Sequence, residues 1–156
     1  GKTTIILLFG TMQIIRAKLK VNFLLNNFKM KPEKLIQEAI KAQGYAKAKY
    51  SNFFVGTAIV SNNNKIILGC NIESAAYPST MCAERVAIYS ALSQGISEFK
   101  AIAIVSSLSA KPCGPCRQII YEYLGNIPIY ISDGKDIKNI EYETHYIRDL
   151  LPHPFG

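Results

Sequence analysis

The chain of 156 residues is the length of one domain with a single buried core, and its 49% apolar and 19% charged residues are an ordinary globular balance. The formal charge of +7 invites a nucleic-acid partner, but its location argues against one: Lys2, Arg16, Lys18, Lys20, Lys29 and Lys31 precede residue 32 with no acid, while residues 32–156 hold twelve basic against eleven acidic side chains. A nearly neutral domain lacks the electrostatic footprint of a phosphate-binding surface, which leaves polynucleotides out, and no apolar run reaches the length of a membrane span.

Residues 1–29 are expected to be a leader or upstream extension outside the fold. Gly1-Lys2-Thr3-Thr4 imitates only the end of a phosphate-binding loop, and Ile5–Phe9 is five apolar residues long. The segment lacks acids, as targeting peptides do, but not with their Ser and Arg richness, so a targeting role stays open. The domain is placed at residues 30–156. Pro32 opens a helix with Leu35, Ile36, Ala39 and Ile40 on its apolar face, and Gly44 ends it. Phe53–Val60 and Ile66–Cys70 read as strands of a hairpin around Asn62-Asn63-Asn64. Ser79 or Thr80 is expected to cap a helix running through Cys82, Glu84, Val86, Ile88 and Leu92 to Gly95. Phe99–Val105 is a buried strand, and a helix through Ile119, Ile120, Tyr123 and Leu124 runs to Gly125. Ile127–Ser132 and, more weakly, Ile137–Tyr142 follow as strands, and a short helix over 144–151 stops at Pro152. This alternation predicts a layered α/β domain with at least one parallel strand pair.

Chemistry concentrates in Cys82-Ala83-Glu84 and, 31 positions after Cys82, in Pro112-Cys113-Gly114-Pro115-Cys116. Three thiolates suit a tetrahedral zinc site whose fourth position stays open for water. Glu84, two residues from the first ligand, can lie beside that water and move its protons. A C-x-E on a helix with a downstream P-C-x-x-C is the zinc deaminase signature, with Cys in the first ligand place. Zinc and three thiolates sum to one negative charge, which two helix N-termini offset in part. Arg85 can donate to the cysteine sulfurs and withdraw more electron density; its alternative is a surface helix arginine. A closed four-cysteine site using Cys70 competes, but structural zinc ligands come in close pairs and Cys70 stands twelve residues from Cys82. A redox pair of Cys113 and Cys116 leaves Cys82 and Glu84 without a purpose. Cys70 is otherwise expected to be a small buried hydrophobe. With three of four cysteines in a metal pattern and no convincing signal peptide, a reducing cytoplasm is expected.

On Tyr50–Gly56, Cys70–Tyr77, Cys82–Arg85, Pro112–Gln118, Leu150-Leu151-Pro152 and Phe155-Gly156, the chain resembles the small, homotetrameric cytidine deaminases of nucleoside salvage over residues 32–156. The resemblance implies a three-layer α/β/α fold with a mixed five-stranded sheet, one zinc ion per subunit held by Cys82, Cys113 and Cys116, and active sites shared within a homotetramer. It implies hydrolytic deamination of cytidine and deoxycytidine, a small-molecule substrate with no nucleic acid or membrane involved. Glu84 would protonate N3 of cytosine and then carry a proton to the exocyclic amine. Phe53 would pack on the pyrimidine, Asn71 and Glu73 would hold the ribose 3′-hydroxyl, and the Ala83 amide would meet the base carbonyl. Ala75 and Tyr77 would reach a neighbouring subunit's sugar, and Phe155 would form an aromatic lid. Phe54, beside Phe53, would face the opposite way. Ser74 and Thr57 depart from the family's usual Asn and Ala. An aminohydrolase for another cytosine-bearing compound, such as a nucleoside antibiotic, is the alternative.

Overall fold

A computed structural model describes residues 30–156; the leader assigned to residues 1–29 lies outside the described residues. Helix α1, Pro32–Gln43, begins on the proline that fits a first turn and buries Leu35, Ile36, Ala39 and Ala42. Strands β1, Val55–Ser61, and β2, Ile66–Cys70, form the expected hairpin, in register from Gly56 opposite Cys70 to Val60 opposite Ile66. Asn64 in its turn adopts a left-handed φ of 65°, which Asn tolerates better than most residues. Phe53 and Phe54, expected in the strand, precede it. Their carbonyls are engaged instead by side chains: Asn71 Nδ2 donates to Phe53 O and Gln43 Nε2 to Phe54 O, while Asn71 Oδ1 accepts from Val55 N.

A 3-10 turn at Tyr77–Ser79 leads to helix α2, Ala83–Ser93. The expected cap at Ser79 or Thr80 is corrected: the turn uses up Ser79, Thr80 is its extended exit and its hydroxyl accepts from Ser74 N instead of an α2 amide, and Cys82 is the N-cap. Strand β3, Phe99–Ser106, and helix α3, Gly114–Leu124, follow as read, with Cys113 as N-cap of α3. Strand β4 is Ile129–Ser132. The weak strand expected at Ile137–Tyr142 is also corrected. The fifth strand, β5, is Glu143–His145, where pairing with Ile129–Ile131 of β4 is available, and a four-residue helix α4, Ile147–Leu150, closes the fold.

The sheet order is β2-β1-β3-β4-β5, with β3 and β4 parallel and the other neighbours antiparallel. α1 covers one face so closely that a Cβ on Gly56 would lie 2.0 Å from the Ala39 carbonyl oxygen. On the other face Gly69 admits α2: a Cβ there would lie 2.3 Å from Ala83 O and 2.5 Å from Ala87 N. Ile88 of α2 and Ile120 and Leu124 of α3 pack over Ile59, Ile102, Ile104, Ile129 and Ile131 of the sheet. The result is the expected three-layer α/β/α fold with a mixed five-stranded sheet. Among the described residues, no helix is long and apolar enough to cross a membrane.

Candidate active site

Both α2 and α3 begin on a cysteine. Cys82 and Cys113 have extended backbones (φ −70°, ψ 152° and φ −67°, ψ 168°), and neither side chain caps its own helix, so both sulfurs are free to turn outward. Cys116 sits within the first turn of α3 and is buried. The three sulfurs lie within 4.8 Å of one another, with Cys82 Sγ 3.8 Å from Cys113 Sγ. That is far beyond a disulfide's bond length of about 2 Å, and all four cysteines are free. Cys70 is outside the cluster and only half-buried, so the four-cysteine alternative has no fourth sulfur.

Arg85, one helical turn from Cys82, points Nη2 at the Cys82 sulfur from 3.6 Å. Its Nε is buried with no hydrogen-bond partner among the described residues. A hydrogen bond from the Cys116 thiol, together with Arg85, lowers Cys82 from 9.0 to about 5, while the same shared proton and burial push Cys116 up. Arg85 and the neighbouring thiols thus favour the thiolate at Cys82, and two more soft donors stand beside it. This donor set fits one zinc ion per subunit, and Cys82, Cys113 and Cys116 are the residues that would hold it.

Glu84 is 5% exposed, and burial is the main reason its carboxyl rises from 4.5 to about 7, with the Cys82 charge adding to the effect. A carboxyl group so placed can exchange a proton near neutrality. It opens onto a cavity of about 280 Å³ lined also by Phe53, Asn71, Glu73, Cys82, Ala83 and Cys113. The structure therefore brings two of the three clustered cysteines, the acid and the four expected base and sugar contacts around one cavity, with Cys116 buried behind them. Phe54 lines a different cavity, with Ile40 and Gln43, as its opposite orientation requires.

The polar end of the site is more tightly built than the sequence indicated. Glu73 Oε2 accepts from Tyr50 N at 2.7 Å and from Ser51 N at 3.2 Å, and its Oε1 accepts from the Ser51 hydroxyl. These donors, the hydroxyl foremost, hold the Glu73 carboxyl below its usual value. Ser51, Thr80, Ser106 and Lys111 also line the cavity, although the sequence assigns none of them to the site. The sequence signal for Lys111 is its place as the charged residue just before Pro112-Cys113. Ala75, Tyr77 and Phe155 are not brought into the cavity. Tyr77 is 75% and Phe155 87% exposed, Ala75 is exposed, and Tyr77 stacks edge-on against Tyr50 at 6.3 Å.

The family model for the cytidine and deoxycytidylate deaminase zinc-binding region matches residues 29–129. The chain belongs to this family. It is 43% identical to a cytidine deaminase of Sporosarcina psychrophila over 81% of this chain and 93% of that one. A cytidine deaminase of Halalkalibacterium halodurans is 42% identical over 81% and 95%. The crystal structure of cytidine deaminase from Burkholderia pseudomallei superposes with a TM-score of 0.74 at 39% identity, covering 81% of this chain and all of the other. Family membership accounts for the thiol cluster, the buried glutamate and the layered fold together.

Proposed function

We propose that the protein catalyses zinc-dependent hydrolytic deamination of cytidine and deoxycytidine to uridine and deoxyuridine, with release of ammonia, in pyrimidine salvage. The observation that carries this is the buried Glu84 carboxyl, raised to about 7, opening onto the same cavity as Cys82 and Cys113, whose sulfurs cluster with that of the buried Cys116. Zinc, when bound, supplies Lewis acidity that brings the pKa of a water molecule to about 7.

The chain's own residues supply the rest. Glu84 takes a proton from the attacking water and gives it to N3 as the water oxygen bonds to C4. It then passes the second proton to the exocyclic nitrogen, the C4–N bond breaks, and ammonia leaves. One carboxyl serving as base and then acid works best with a pKa near the working pH, which its burial provides. Phe53 packs on the pyrimidine, the Ala83 amide at the start of α2 donates to the base carbonyl, and Asn71 and Glu73 orient the ribose. Arg85 keeps the Cys82 sulfur anionic and turned to the cluster. Residues 30–156 form the catalytic domain.

The exposed Ala75, Tyr77 and Phe155 are reserved for neighbouring subunits in a cytoplasmic homotetramer; their exposure, and the place of Tyr77 next to Glu73, support this assignment. Purified protein mixed with cytidine, deoxycytidine and cytidine monophosphate tests the function. Loss of the cytosine absorbance with both nucleosides is expected, and no loss with either would sink it.

A further inference from the structure

Two consecutive residues ahead of Cys113 are fastened to the same distant segment. Arg117, the residue after Cys116, is half-buried and donates from Nε to the Pro112 carbonyl at 2.7 Å and from Nη1 to the Leu150 carbonyl at 2.8 Å. One guanidinium therefore grips the peptide next to Cys113 and the end of α4 together. Lys111 Nζ lies 2.9 Å from Glu143 Oε2 in β5, and the same oxygen is 2.7 Å from His145 Nε2. The loop bearing Cys113 is thus strapped on both sides to residues 143–150.

The two straps differ in strength. Lys111 and Glu143 are 39% and 53% exposed, and an isolated pair of that kind contributes little. Here Glu143 is also held by His145, so the pair is a small network rather than one contact. Arg117 is the stronger member. Its planar fork makes charge-assisted bonds to two carbonyls from separate segments, a geometry that an ammonium group cannot copy. Pro112 has no N–H, so the carbonyl that Arg117 takes is the only backbone hydrogen-bonding group this buried residue offers.

We propose that Arg117 and Lys111 are positioning residues for Cys113, tying the metal-ligand loop to β5 and α4 so that the C-terminal segment governs how firmly this sulfur is presented. The proposal rests on Cys113 being a zinc ligand, as read above. Partners that orient a ligand without touching the metal typically change metal affinity about 10- to 100-fold.

The test is the rate at which a chromophoric chelator strips zinc from the full-length protein, with no nucleoside present. R117M is expected to release zinc roughly tenfold faster. K111M and E143Q are each expected to release it a few-fold faster, with the K111M/E143Q double variant no faster than E143Q alone, since the Lys111–Glu143 contact is already lost there. In cobalt-substituted protein, R117M should shift the thiolate-to-metal absorption bands while leaving the far-ultraviolet circular dichroism unchanged. Wild-type release rates in K111M and E143Q, or additive effects in the double variant, would overturn the Lys111 strap even if R117M failed to fold. Wild-type release and bands in R117M would overturn the Arg117 strap. A protein that is inert to cytidine would sink the proposed function and leave these outcomes readable.

Discussion

Asn71 and Val55 are joined twice: Asn71 Oδ1 accepts from Val55 N at 2.9 Å, and Asn71 N donates to the Val55 carbonyl at 3.3 Å. The same carboxamide donates from Nδ2 to Phe53 O at 2.8 Å. A residue assigned to the sugar therefore also sets the backbone of the residue assigned to the base. Asn71→Ala leaves Val55 N and Phe53 O without these partners and should cost about 2 kcal/mol. Thermal unfolding several degrees lower, with a roughly tenfold higher KM for cytidine, is expected; an unchanged KM would remove Asn71 from the substrate contacts.

Glu84→Gln keeps the size and burial of the side chain but cannot shuttle protons. Zinc content by metal analysis should stay at one per subunit, and turnover should fall by several orders of magnitude. Full turnover in this variant would overturn the assignment of Glu84 as the proton carrier.

The metal-free protein should report Glu84 through its stability. A carboxyl raised from 4.5 in the unfolded chain to about 7 in the fold binds its proton more tightly when folded, so stability declines as pH climbs through that interval. The full effect, above pH 7, is about 3 kcal/mol. With a chelator present, Glu84→Gln should melt higher than wild type at pH 8 and the same at pH 4.5. Equal melting temperatures at pH 8 would contradict the buried, raised carboxyl.

Glu73 has the opposite sign. Its carboxyl is depressed, chiefly by the Ser51 hydroxyl and then by the Tyr50 amide, so its anchoring is present above the ordinary carboxylate value and is lost only as pH falls through the lowered one. Ser51→Ala removes the leading cause. Its acid-side rise in KM should begin at higher pH than in wild type; coincident profiles would show that the hydroxyl does not tune Glu73.

Gly69→Ala places a Cβ 2.3 Å from Ala83 O and 2.5 Å from Ala87 N, so α2 must move away from β2. Overpacking of this kind costs about 1–3 kcal/mol. Because α2 carries Cys82 and Glu84, kcat should drop along with the melting temperature. A variant that is less stable but has wild-type kcat would show that α2 is not the element that fixes the site.

Much of this site was legible because its signals are local. The spacing of Cys82, Cys113 and Cys116 and the offset of Glu84 are set within two helix starts, and the Asn62–Asn64 turn announces its hairpin. What the sequence concealed depends on distant partners. Glu143-Thr144-His145 is polar and becomes a strand because it pairs in register with Ile129–Ile131 of β4, whereas the more apolar Ile137–Tyr142 reaches β4 only at its end, through Glu141 O and the Tyr142 ring. The Glu84 carboxyl looks like any charge in a first helical turn until the sheet below buries it. Arg117 meets Leu150 across 33 positions, a contact that no periodicity reveals.

The two helices that begin on sulfur carry a further implication. Serine at either Cys82 or Cys113 would be a far better helix opener, since its hydroxyl could satisfy an orphan backbone amide for about 1 kcal/mol. A stability screen without metal would therefore favour the very exchange that abolishes the enzyme, and thermostable variants selected that way should be sequenced first at these two positions.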